Sequence, residues 1–482
     1  MNAPLLISAA GVEIYIFIAA CVVLCVGLFL PDSRRDWLHW GSIAAVLVAA
    51  FAAMAGFDEK PVFALNGFFA ASPFTAVLKS AVLFSVVGSL AFSRHFLRYS
   101  GLLSGEFYFL VLTATLGMLV MVSAAHLLSL YLGLEIMSLS MYSLIALKRD
   151  GTHSSEAAIK YFILGALASG IFLYGISILY GVTGELGISA VAAKIIAGDT
   201  AGQAALSLAL VFMLAGAAFK MGAAPFHMWL PDVYQGAPAP VTLFIASGPK
   251  IAAVAMMLRV LTEALGALEA DWRQMLMVLA VASLAVGNIT AIAQTNLKRM
   301  LAYSAIAHSG FIVLGVLAGG VIGVAAAMFY VIAYALMTVG GFGVLVLMAD
   351  GDKERAELSD MKGLAVQNAP VALVVLLLMF SMAGVPPVIG FTAKLAVLQA
   401  VLEEGFVWIA VFAVVLSVVG AFYYLRVIKL MFFDKPEDGG VALNLSRPAL
   451  ALLSFIGLLV LLGGIFPGWL LAICEEAARL SL

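Results

Sequence analysis

Residues 219–250 read FKMGAAPFHMWLPDVYQGAPAPVTLFIASGPK. A lysine stands near each end, at Lys220 and Lys250. Between them prolines, a histidine, a tryptophan and an aspartate interrupt a chain that is 64% hydrophobic. Reading this stretch decides the fold. If the apolar run that starts near residue 204 carries through to 236, one helix would be ~48 Å long, against about 30 Å of hydrocarbon. The break from Gly222 to Pro225 resolves the conflict, because a discontinuous helix needs no single long crossing.

The composition requires a membrane. The chain has 482 residues, of which only 11% are charged, and its mean hydropathy is +1.13. A soluble domain is about half apolar and a quarter charged, because its surface must meet water. The chain is therefore read as an all-α polytopic membrane protein. The net charge of −2 argues against nucleic acid. Of the three cysteines, Cys21 and Cys25 lie one turn apart in the first apolar run and Cys474 lies near the C-terminus. No CxxC, HExxH or clustered Cys/His spacing points to zinc, haem or an iron–sulfur cluster. No GxGxxG or Walker lysine loop points to a nucleotide. The N-terminus lacks a basic segment and a small-residue cleavage site, so the first run reads as a retained span.

Fourteen spans are expected, at 11–30, 38–56, 73–93, 107–124, 126–147, 156–181, 204–236, 239–261, 272–294, 301–319, 321–349, 370–402, 405–427 and 448–472. The seventh and the twelfth are overlong. The twelfth is broken by GVPP, Gly384 to Pro387, which ends in Pro386 and Pro387. Of the 25 basic residues, fifteen fall in one alternate set of loops, five in the other and five within spans. That bias places the richer loops in the cytoplasm and both termini outside. The broken helices are five apart, an odd number, so two successive five-helix units must have inverted topology. Residues 107–261 and 272–427 are read as these inverted repeats, flanked by helices in 11–93 and 448–472, all in one membrane domain. Paired interruptions of this kind point to an ion or substrate site.

Charges at membrane depth mark function, because each costs several kcal/mol unless paired or hydrated. Glu135, in YLGLEIMSLSMYSL, lies roughly 14 Å into its helix and Lys250 roughly 16 Å into its own. Lys220 precedes the first break and Lys394 follows the second, where irregular backbone can line water. Burial disfavours a lysine's charge and a nearby carboxylate restores it. Glu135 moving relative to Lys220 would thus switch that lysine, and a row of such groups forms a proton wire. His308 is read as a relay, with a packing histidine as the alternative. Lys160 follows Glu156 by four residues, so an i,i+4 pair and snorkelling also explain it. His227, Trp229 and Asp232, with Pro225, are expected to cap and anchor the second half of the broken helix. Lys79 and Glu13 lie near helix ends and are read as snorkelling. The run DGDKERAELSDMKG, 350–363, reads as a solvated loop or a partner contact.

At these residues the chain resembles a known family, the antiporter-like membrane subunits of respiratory complex I, shared with multisubunit cation/proton antiporters. The likeness rests on YLGLEIMSLSMYSLIAL, EAAIKYFILGALASGIFLYGISILYGVTGE, FKMGAAPFHMWLPDVYQGAPAPVT, NLKRMLAYSAIAHSGF and GVPPVIGFTAK. It covers most of the chain, and its wording is that of the subunit N branch, the mitochondrial ND-two type. The resemblance implies that Glu135 is the fifth-helix glutamate, Lys220 the broken-helix lysine, Lys250 the eighth-helix lysine and Lys394 the terminal lysine of a proton channel. Lys160 and His308 match polar-axis positions. Leu-Ala-Val after Lys394 departs from the aromatics expected there.

The family implies no cofactor in this chain. FMN, iron–sulfur clusters and quinone are expected in partner subunits, where NADH is oxidised and quinone reduced. The partners implied are the other membrane and peripheral subunits, especially neighbouring antiporter-like and small membrane subunits. The alternative is a subunit of a cation/proton antiporter without redox coupling. A quinone-binding subunit using His227 and Trp229, and a purely structural scaffold, are the rivals of other classes.

Overall fold

The structure, a computed structural model, describes residues 3–57, 61–148, 151–198, 202–351, 353–436 and 446–481. Lys60 and Arg149, two of the basic loop residues, lie outside them. The elements run α1 Ala3–Phe29, α2 Asp36–Ala55, β1 Val62–Ala64, β2 Phe69–Ala71, α3 Pro73–Tyr99, α4 Gly105–Ser123, α5 Leu127–Ile145, α6 Thr152–Thr183 and α7 Ile188–Ile196. They continue α8 Gln203–Met221, α9 Trp229–Gly236, α10 Ala239–Leu258, α11 Glu269–Ile292, α12 Leu297–Ala318, α13 Gly320–Met348 and α14 Leu364–Gln367. The last are α15 Ala369–Ala383, α16 Ile389–Glu403, α17 Val407–Phe433, α18 Arg447–Ile465 and α19 Gly468–Arg479. β1 and β2 form one antiparallel hairpin.

Thirteen helices among the described residues are long and apolar enough to cross a membrane. The fourteenth crossing is α15 and α16 together. Each has 15 residues, about 22 Å, and neither spans the hydrocarbon alone. Both breaks open on a left-handed glycine that ends a helix, Gly222 at φ 66° and Gly384 at φ 85°. A residue with a Cβ is disfavoured there. Each glycine is followed three residues later by a proline in a cis peptide, Pro225 and Pro387. Polar caps set other helix starts: Ser72 for α3, Ser104 for α4, Asn296 for α12, Asn368 for α15 and Ser446 for α18.

The final span is shorter than the expected 448–472. α18 stops at Ile465, Pro467 denies the next turn its N–H, and α19 starts on a new axis. α19 buries Cys474, Ala477 and Ala478 and leaves Trp469 exposed.

In lipid, apolar surface does not drive helices together, so close packing at small residues must. α4 and α5 meet where a Cβ on Gly117 would lie 2.6 Å from the Gly133 carbonyl. α11 and α12 repeat the device: a Cβ on Gly287 would lie 2.8 Å from the Tyr303 carbonyl. The centre of the molecule is α10, buried along its whole length, with α12 and α13 against it. These helices carry Lys250 and His308, so the polar groups stand in the best-packed part of the chain.

Candidate functional site

The expected charged residues fall along a file that crosses the protein from α5 to α16. At its first end Glu135 is only half-buried, and among the described residues nothing hydrogen-bonds its Oε1. Lys220 closes α8 and is buried. Its ammonium donates to the Ser138 hydroxyl at 2.8 Å. Among the described residues Glu135 and Lys220 make no ion pair; Ser138, one turn on from Glu135, accepts from the ammonium instead. The aromatic faces of Tyr142 and Phe219 also approach Lys220, at 6.0 and 5.6 Å.

Next in the file is Lys250, buried in α10 one residue after Pro249. Its ammonium donates to the Ala305 carbonyl at 2.9 Å and the Ser309 hydroxyl at 2.8 Å, and lies 4.9 Å from the Tyr334 ring centre. Ser309 in turn donates to the Met221 carbonyl at 2.7 Å. That carbonyl belongs to the last turn of α8, which the break leaves without its own helical partners. One serine thus joins the first break to Lys250, and Lys220 and Lys250 line one cavity with Tyr161, Trp229 and Tyr234.

His308 sits in α12 with both ring nitrogens occupied. Nδ1 is 2.8 Å from the Tyr330 hydroxyl and Nε2 is 3.3 Å from that of Tyr424. Tyr424 is also 2.5 Å from Ser304 Oγ. A second cavity holds His308 together with Lys394, Asn288, Ser417 and Tyr424. Lys394 donates to Ser417 at 2.7 Å and to the Ala383 carbonyl at 2.8 Å. Ala383 is the last residue of α15, so this lysine satisfies a carbonyl that the second break sets free.

The break residues divide. Trp229 reaches back across the first break and donates to the Phe219 carbonyl at 3.0 Å, with its ring stacked on Tyr161. Asp232 accepts from Lys160 at 2.9 Å and from Arg299 at 2.8 Å. His227 Nδ1 is buried without a hydrogen-bond partner among the described residues, while its carbonyl accepts from the Leu230 N–H at 2.9 Å at the start of α9. Pro225 is exposed, as are Pro386 and Pro387. Lys160 bridges Glu156 at 2.8 Å as well as Asp232 and stays 45% exposed. It joins a charged cluster on the outside of this chain and stands apart from the buried file.

One further expectation is overturned and another is made more specific. Glu13 and Lys79 do not snorkel. They form a buried pair at 2.8 Å, because α1, α3 and α4 close around them. The 350–363 segment is not simply solvated either. Glu354 reaches inward to the buried Lys298 at 2.7 Å and accepts from the Ala239 N–H at 2.7 Å. Lys298 donates to the Ala237 carbonyl at 2.6 Å.

Ser138, Ser309, Ser417, Tyr330, Tyr334 and Tyr424 escaped the sequence reading. Serine and tyrosine are common in membrane helices and carry no charge signal. The available clue was proximity in sequence, with Ser138 three residues from Glu135 and Ser309 beside His308.

Against known proteins, residues 124–420 match the family described as NADH:quinone oxidoreductase/Mrp antiporter, transmembrane. The chain is 50% identical to NADH-quinone oxidoreductase subunit N of Thiobacillus denitrificans, over the whole of both chains. It is 48% identical to the subunit of the same name in Nitrosomonas europaea, over 98% of this chain and 97% of that one. Among solved structures it resembles a chain of respiratory complex I from Thermus thermophilus with bound aureothin, with TM-score 0.81, 33% identity, and 96% and 98% of the two chains covered. A chain of the Mrp complex from Dietzia sp. DQ12-45-1b shares the fold, with TM-score 0.86 at 21% identity, and 99% and 97% covered.

Proposed function

We propose a function from one premise: this chain belongs to the NADH:quinone oxidoreductase/Mrp antiporter membrane family, and within it to the subunit N branch. It is a multi-span, proton-translocating, antiporter-like subunit of a NADH:quinone oxidoreductase in a bacterial inner membrane. Its own part is translocation without redox chemistry. FMN, iron–sulfur clusters and quinone belong to partner subunits, and the neighbouring antiporter-like and small membrane subunits drive it. Residues 107–261 and 272–427 act as two inverted repeats, an arrangement supported by the matching glycine–proline breaks.

The observation that carries this reading is the file itself. Lys220, Lys250, His308 and Lys394 fall within apolar spans, and among the described residues each is held by hydroxyls, carbonyls or ring faces with no carboxylate in direct contact. Neutral partners let a site hold or lose its proton without breaking an ion pair. A lysine amine left after proton release still accepts from a rotated serine hydroxyl. Ser138 and Ser309 serve Lys220 and Lys250 in this way, and Tyr330 and Tyr424 accept or donate to His308 in either tautomer. Glu135 is the carboxylate at the end of the row, half-buried and with its Oε1 unpartnered among the described residues. A charge change outside the chain can therefore act on Lys220 through Glu135. Lys160, paired with Glu156 and Asp232, shapes the field around the entrance to the file.

The test is assembly joined to pumping. The chain should migrate with NADH dehydrogenase activity on a native gel, and inverted vesicles should take up protons in proportion to NADH oxidised. Recovery in a complex without NADH activity or a co-purifying flavin would favour the second reading, a cation/proton antiporter subunit, which the shared Mrp fold supports.

A further inference from the structure

The buried pair of Glu13 and Lys79 has no part in the file described above. Both side chains are about 95% covered, and their contact is 2.8 Å. Ser123 donates to Glu13 Oε1 at 2.6 Å, while among the described residues Glu13 Oε2 is buried without a partner. A buried carboxylate oxygen with no partner is costly, so this one marks a place for a water or a proton. The pair also costs more than a hydrophobic replacement of the same shape would, so packing alone does not explain it.

The helix that carries Lys79 is unusual. α3 buries Ser80, Ser85, Ser89 and Ser93 as well as Lys79. Ser85, Ser89 and Ser93 recur every four residues, so they share one helical face. Ser89 Oγ lies 3.3 Å from Ser247 Oγ on α10, one turn before Lys250. Ser85 Oγ packs directly on Gly248, within 3.0 Å of where a Cβ would stand. Polar groups of α3 thus meet α10 at Ser247 and Gly248, within one turn of Lys250, and Lys79 lies nearer the start of the same helix, beside Glu13 and Ser123. From Ser85 to Lys79 is six residues, about 9 Å along the axis and off the serine face, so an outlet would have to cross that gap by a short hydrogen-bonded water chain. Beyond the pair, the Val122 carbonyl next to Ser123 accepts from Arg259 at 2.9 Å, and Arg259 pairs at 3.0 Å with Glu263, which reaches solvent.

We propose that α3 carries a transverse proton outlet, leaving the file at Lys250 and Ser247 and discharging through the Lys79–Glu13 pair at the end of the membrane where α3 begins. The proposal rests on the proton-translocating reading above. The step balances within the pair. The Lys79 ammonium gives its proton to Glu13, and the resulting amine takes the proton arriving from the Ser85 side. Glu13 then releases its proton past Ser123 to outer water. The pair ends as it began, and one proton has crossed it.

The experiment uses the whole complex in inverted vesicles and reads protons taken up per NADH, normalised to assembled complex on a native gel. The variants are Glu13→Gln with Lys79→Gln, and Ser89→Ala with Ser247→Ala, with Lys220→Ala run beside them. Paired glutamines can keep a hydrogen bond between α1 and α3 but cannot pass a proton. The expected result is a proton yield in both double variants as low as that of Lys220→Ala. A merely structural pair would let the assembled glutamine variant pump normally. A normal yield there overturns the outlet whatever Lys220→Ala does. If the glutamine variant does not assemble, the serine variant decides: a lowered yield supports the outlet and a normal one overturns it. The proposed function itself is in question only if Lys220→Ala is also normal.

Discussion

The Lys220 ammonium donates to the Ser138 hydroxyl at 2.8 Å, and Ser138 stands one turn along α5 from Glu135. Carboxylate and lysine therefore act on each other through a hydroxyl that can turn, without a fixed ion pair. A pair in contact would hold the proton on the lysine. A serine between them lets Glu135 bias Lys220 while leaving it free to exchange.

This relationship predicts a graded series. Lys220→Ala should leave the complex assembled and lower proton uptake per NADH, since the proton carrier is gone and Glu135 loses its neighbouring charge. Lys220→Arg should also lower it, because arginine keeps its charge but does not release a proton. Ser138→Ala should fall between wild type and these two. The readout is proton uptake in inverted vesicles, and full uptake in assembled Lys220→Ala would remove Lys220 from the pathway.

Lys298 gives a stability prediction. Its side chain is 2% exposed, and Glu354 is the carboxylate it meets. Glu354→Ala leaves that ammonium buried with the Ala237 carbonyl and should cost about 3–5 kcal/mol. The expected outcome is less assembled complex and loss of the native-gel band at a lower temperature. Adding Lys298→Met should recover much of the loss. If Glu354→Ala alone behaves as wild type, the 350–363 segment is not held by this pair.

Gly384 is the conformational key of the second break. Its φ is 85°, and a Cβ there would lie 2.7 Å from Lys394 Cδ. Gly384→Ala should cost about 1–2 kcal/mol in backbone conformation alone, and it also pushes Lys394 away from Ala383 and Ser417. Proton yield should drop in the complexes that still assemble, while Gly405→Ala, at an exposed left-handed turn with open space around it, should lose stability without that drop.

Topology supplies the fourth prediction. An even number of crossings with the richer basic loops in the cytoplasm puts both termini outside. Tags at the two ends should both be labelled by a membrane-impermeant reagent in intact cells. Labelling of one end alone would mean an odd number of crossings.

The sequence by itself determined the all-helical membrane fold, the two interrupted helices and the placing of Glu135, Lys220, Lys250, His308 and Lys394 within apolar segments. Each of these follows from local quantities: hydropathy over about twenty residues, helical rise, and a Gly or Pro that cannot continue a helix. The subunit N branch was legible from the wording of whole stretches. What only the tertiary structure decided is partnership. Ser138 stands between Glu135 and Lys220, Tyr330 and Tyr424 hold His308, and Glu354 reaches Lys298. Glu13 and Lys79 looked like helix-end residues free to snorkel, yet α1, α3 and α4 enclose them. The physical reason is that depth along a helix is read from the chain one residue at a time. The direction a side chain faces, and what stands opposite, depends on how helices rotate and pack against neighbours far away in sequence.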